Sequence, residues 1–134
     1  MQGSASLHTL QQWRQTHAGL KLTLVRGNHD AHAGDPPAAL RMDTVDEPFG
    51  IGPFACCHHP EPRAEGYVLA GHVHPVYRLS AGGDSLRLPC FLFGEGYAVL
   101  PSFGAFTGGY LVTPKEGERL FVAADDAVFE VPPR

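Results

Sequence analysis

The sequence predicts an α/β fold in which strands outnumber helices, and three observations lead there. One stretch, at the N-terminus, repeats apolar residues at helical spacing. About eight later stretches are short apolar runs divided by Gly and Pro, the pattern of strands and turns. Three compact polar groups, each holding histidine, follow directly on strand-like runs. In open α/β sheets chemistry gathers at such strand exits.

The elements follow in order. Ser4 or Ser6 can cap a helix whose Leu7, Leu10 and Trp13 share one face, and Gly19 is its expected terminator. Leu20 to Val25 alternates Leu with Lys and Thr, then meets Arg26 and Gly27, as a strand opening into a loop does. Pro36 and Pro37 before Ala38 and Ala39 imply a loop and one helical turn up to Leu40. Strands are then expected near Asp43 to Asp46, Phe54 to His58, Tyr67 to Ala70, Val76 to Leu79, Leu86 to Phe93, Tyr97 to Leu100, Arg119 to Ala123 and Val128 to Val131. Phe103 to Tyr110 reads FGAFTGGY, the small residues of a tight connection, and the tail from Val131 to Arg134 is expected to fray.

The chain has 134 residues, 43% of them hydrophobic and 18% charged, which suits one globular domain or part of one. Its net charge is −4 and its ten basic residues are scattered, so composition makes no case for strong electrostatic binding to nucleic acid. No basic segment leads an apolar run, and no apolar run reaches membrane-spanning length; cytoplasmic localisation is the default expectation. Cys56, Cys57 and Cys90 are an odd set without disulfide-framework spacing, and reduced thiols in buried strands are expected.

The three groups are Gly27-Asn28-His29-Asp30, then His58-His59-Pro60, then Gly71-His72-Val73-His74-Pro75. Singly, each has an ordinary explanation. Asn after Gly is common turn chemistry, adjacent histidines occur on surfaces, and an HxH pair puts both rings on one strand face by chance as well as for a metal. If the strands are neighbours, their exits bring imidazoles and an amide oxygen into one crevice. That donor set suits Mn, with Fe or Zn as alternatives.

The order GNHD, then a histidine after an apolar strand, then GHxH resembles the last three motifs of the calcineurin-like metallophosphoesterases. The resemblance runs from Leu20 onward. It implies a two-sheet sandwich flanked by helices and two-metal hydrolysis of phosphoesters. It implies that Asn28, His58 and His72 are ligands of one ion and His74 a ligand of the other. His29 would sit beside the scissile phosphate, stabilising charge or protonating the leaving oxygen, with Asp30 orienting it. His58 is preferred to His59 as the ligand because it aligns with the family's single histidine. The family's upstream DxH and GD motifs have no counterpart in residues 1 to 26, which contain no Asp. Residues 1–134 are therefore expected to be the C-terminal part of one metallophosphoesterase domain. The strand Leu20 to Val25 would lie beside a vacancy, and activity would be impaired in this stretch alone.

The run RLPCFLFGEGYAVLPSFGAFTGG, Arg87 to Gly109, following CHHP and GHVHP, resembles the bacterial ligase-associated DNA damage response endonuclease (PdeM) subfamily. That implies phosphodiester substrates such as DNA or RNA, manganese, and association with DNA-repair ligases or helicases. Three rival readings stand beside it. One is a non-catalytic remnant of the same fold. Another is a cupin-like metal protein built on His72 and His74, although Val76-Tyr77-Arg78-Leu79 follow where a cupin wants Glu. The third, a zinc finger from Cys56 to His59, fails because contiguous strand residues alternate in direction and cannot all face one ion.

Overall fold

A computed structural model describes residues 4–27, 36–103 and 108–133. Helix α1 (Ser4–Thr16) forms where Leu7, Leu10 and Trp13 predict it, yet Leu10 and Trp13 stay exposed. What it buries is Arg14, at 4% exposure. The Arg14 guanidinium donates to the carbonyls of His17 and Leu20, both at 2.8 Å, of Leu40 at 2.6 Å and of Arg41 at 3.2 Å. A helix end leaves its last carbonyls without intrahelical partners, and a cation with a fork of donors suits them. Arg14 thus ties α1 to the 3-10 turn Ala38–Leu40.

The described strands form two sheets. In the smaller, β1 (Leu22–Arg26) runs parallel to β2 (Met42–Asp46), in register from Leu22 opposite Met42 to Arg26 opposite Asp46. Among the described residues β2 is the strand that pairs with β1.

The larger sheet has nine strands: β3 (Phe49–Ile51), β4 (Phe54–Cys57), β5 (Tyr67–Ala70), β6 (Pro75–Ala81), β7 (Asp84–Phe93), β8 (Tyr97–Val99), β9 (Tyr110–Leu111), β10 (Arg119–Ala124) and β11 (Ala127–Val131). They lie in the order β11-β10-β7-β8-β5-β4-β3, with β6 on β7 and β9 on β6. Strands β4, β5 and β8 are parallel, so their C-terminal ends open on the same side. Strand β7 serves two neighbourhoods: Asp84 to Pro89 pair with β6, and Cys90 to Phe93 with β10. The handover falls at Pro89, which has no N–H to continue a ladder.

Alternation decides the core. Cys90, Leu92, Val99, Leu120 and Val122 form one buried cluster, and Ala55, Cys57, Val68 and Ala70 a second, with Tyr97 packed on both. Tyr67 donates its hydroxyl to the carbonyls of Tyr97 and Gly94 at 2.8 and 2.9 Å, and Tyr97 donates to the Glu118 carboxylate.

The expectation of flanking helices is corrected here: α1 is the one α-helix among the described residues, because the rest of the chain is short strand runs cut by Gly and Pro. The β3–β4 hairpin was not expected, since Phe49-Gly50-Ile51 is too short and glycine-broken to read as a strand. Strands β6 and β7 extend to a two-residue turn at Gly82 and Gly83, whose φ values of 59° and 88° match the turn that such hairpins favour. Among the described residues the larger sheet keeps open edges at β11, β3 and β9, unlike the closed barrel a cupin needs. Cys56, Cys57 and Cys90 are free thiols in strands; Cys57 and Cys90 are buried and Cys56 partly so. No helix among the described residues is long and apolar enough to cross a membrane.

Candidate metal centre

The centre is built from consecutive strand exits. Strand β4 ends at Cys57 and delivers His58 and His59; β5 ends at Ala70 and delivers Gly71 and His72. Beyond the strands the His72 N–H still donates to the His58 carbonyl at 3.0 Å, as Leu100 N–H does to Ala70 at 2.8 Å, so the exits stay in step. Parallel pairing of β4 with β5 thus sets the two loops side by side.

His58 Nε2 and His72 Nδ1 face each other at 2.7 Å. His59 joins them, with its ring centroid 4.7 Å from that of His58 and 4.8 Å from that of His72. One ring nitrogen from each of the three lies within 4.8 Å of the others, His58 and His59 half-buried and His72 exposed. Two imidazole nitrogens on adjacent positions of one ion stand about 3 Å apart. The His58–His72 spacing is close to that, and three neutral imidazoles are a suitable donor set, so the residues fit a divalent ion.

Gly27 shows that the first motif starts at the same place. A Cβ built on it would lie 2.5 Å from both Cγ and Cδ2 of His58. Only a residue without a side chain lets the end of β1 lie against that ring. The next residues, Asn28, His29 and Asp30, lie outside the described residues. His74 is described and exposed, with φ of +52°, and is not in the three-histidine group; its carbonyl accepts from Tyr110 N–H at 3.0 Å.

One participant was not foreseen. Glu47, directly after β2, reaches across to the larger sheet with its side chain only 6% exposed. Its Oε1 accepts from the backbone N–H of His58 at 3.0 Å and of His59 at 3.3 Å. Its Oε2 lies 3.3 Å from His59 Nδ1. Burial pushes this carboxyl up, but the two backbone donors and the His59 ring outweigh it and hold Glu47 below the usual carboxylate range. The sequence signal for Glu47 was weak: a carboxylate before Pro48 at a strand end, which turn chemistry explains equally well.

No family model matches this chain, and no curated protein does. Among solved structures it is similar to the crystal structure of Pseudomonas putida nuclease MPE, with a TM-score of 0.83 and 47% identity. The match covers 96% of this chain and 63% of that one, so the chain spans less than two thirds of its neighbour's length.

Proposed function

We propose that residues 1–134 are the C-terminal part of a calcineurin-like metallophosphoesterase domain of the ligase-associated DNA damage response type. On this proposal it hydrolyses phosphodiesters of nucleic acid with divalent ions, manganese first among them. The observation that supports it most is the convergence of His58, His59 and His72 at parallel strand exits in a chain similar to a nuclease. The subfamily's association with DNA-repair ligases or helicases belongs to the same proposal.

His58 and His72 would hold one ion through the ring nitrogens that now face each other, with Asn28 completing the set. Of the ligands assigned to a second ion, this stretch supplies His74. Bound ions in such sites act as Lewis acids toward phosphate and make water nucleophilic at neutral pH. His29 would hold a proton for the leaving oxygen, and Asp30 would keep that ring oriented.

The test is Mn2+ uptake followed by electron paramagnetic resonance, together with hydrolysis of bis(p-nitrophenyl) phosphate and of short single-stranded DNA. A saturable Mn2+ site weakened at least about tenfold by His58→Ala and by His72→Ala is expected. Equal uptake by both variants and the parent chain would refute the site. Uptake without hydrolysis, even after the upstream segment of the homologous nuclease is fused to the chain, would favour the non-catalytic reading.

A further inference from the structure

The three histidines do not position themselves. We infer that Glu47 is the positioning residue of this centre: it holds the His58–His59 turn and keeps His59 in the tautomer protonated at Nδ1 rather than Nε2, which makes His59 an ion ligand beside His58 and His72. The inference rests on the metal reading above and adds to it a third imidazole and the group that orients it.

The geometry leaves few other roles for this carboxylate. Oε1 receives two successive backbone N–H groups, His58 and His59, the arrangement in which a peptide turn cradles an anion. Both donors belong to the turn that carries the rings, so fixing them fixes where both side chains start. Oε2 faces His59 Nδ1. A carboxylate at neutral pH only accepts, so His59 donates from Nδ1, and in the neutral ring Nε2 then keeps its lone pair. Carboxylate, then imidazole, then metal is a recurring chain in which the outer acid sets the ligand's tautomer and direction. The carboxylate reaches this turn from the end of β2, in the other sheet, so the turn is braced from outside its own strands.

The substitution Glu47→Gln would fill the same space but reverse the logic. The new amide oxygen can still take the two backbone N–H groups, while the amide NH2 then faces Nδ1 and demands an acceptor there. His59 would be driven to the Nε2–H tautomer, whose remaining lone pair is on Nδ1 and engaged by the amide, so Nε2 has none to offer an ion.

The experiment uses the chain labelled with 15N-histidine. Ring tautomers are read by long-range proton–nitrogen correlation without metal, and Co2+ is then titrated with visible absorption, on the parent chain, Glu47→Gln and His59→Gln. Expected are a Nδ1–H tautomer for His59 in the parent, a switch to Nε2–H in Glu47→Gln, and Co2+ affinity about 10- to 100-fold weaker in both variants. His59→Gln keeps both backbone bonds to Glu47, so it should melt like the parent and still lose affinity. An unchanged tautomer and unchanged affinity in Glu47→Gln would overturn the inference. So would unchanged affinity in His59→Gln, which decides the matter if Glu47→Gln does not fold. A tautomer switch in a chain that takes up no Co2+ would uphold the Glu47 contact and sink the metal reading instead.

Discussion

Replacing Gly27 by Ala tests whether the end of β1 and the histidine cluster share one space. The added Cβ would sit 2.5 Å from two ring atoms of His58 and 3.0 Å from its Cβ. Carbon atoms settle at about 3.5–4.0 Å, so the ring must recede by about 1 Å. The facing nitrogens of His58 and His72, now 2.7 Å apart, would then lose contact. Forcing one methyl into a filled site costs about 1–3 kcal/mol, and the lost hydrogen bond about 1 kcal/mol. Against this, Gly27 is not among the positive-φ glycines, so Ala restricts the unfolded chain and returns about 0.4–1 kcal/mol. The net expectation is a loss of about 1–3.5 kcal/mol in urea unfolding and of about tenfold or more in Co2+ affinity. Gly19 is the control, because its Cβ would meet nothing within 4 Å. Gly19→Ala should be neutral or slightly stabilising. A Gly27→Ala chain as stable as the parent, with the same affinity, would refute the shared space.

Two further outcomes are expected. The hydrogen bond to Glu118, together with burial, pushes Tyr97 up to about 12. The unfolded tyrosine loses its proton near pH 10 and the native one does not, so the contribution of Tyr97 is intact below pH 10 and falls as pH rises from there toward 12. Ultraviolet titration should show a late-ionising tyrosine that disappears in Tyr97→Phe, and the same titration curve in the variant would count against the bond. For the thiols, burial pushes Cys90 up to about 12 and also raises Cys57, whereas Cys56 is partly exposed. An aromatic disulfide reagent should therefore label Cys56 first and Cys90 only on unfolding, and rapid native labelling of Cys90 would contradict its place in the core.

Elements whose cause is local were legible in the sequence. Tyr67–Ala70 is a strand from end to end because aromatic and branched residues sit between a Gly and a Gly-His break. Each strand of the β6–β7 hairpin runs two residues further toward the turn than expected, because Gly82-Gly83 makes a tighter turn than the composition suggested. His58 and His72 lie together because parallel neighbours share an exit edge. Features that depend on distant partners stayed hidden. Arg14 looks like a solvent-facing charge on a helix, yet two of the carbonyls that receive it, those of Leu40 and Arg41, lie far along the chain. Glu47 acts mainly through backbone N–H groups, which no residue type advertises. A bend after β4 lets the rings of both His58 and His59 approach His72, a geometry that residue order does not reveal.

Because the Glu47 carboxylate belongs to one sheet and the amides it holds to the other, the centre is also a seam. The pair β1–β2 is the smaller body, and two strands alone are marginal in water. A brief parting of the two sheets would therefore dismantle the cluster while the nine-stranded sheet stays folded. Amides of Leu22 to Val25 would exchange with solvent through such partial openings, whereas those of Val68 and Leu120, in the buried clusters, would wait for global unfolding. A ligand that needs the seam closed would slow the first class and leave the second nearly untouched, so protection at β1 becomes a readout of occupancy at a site several residues away in sequence and one sheet away in space.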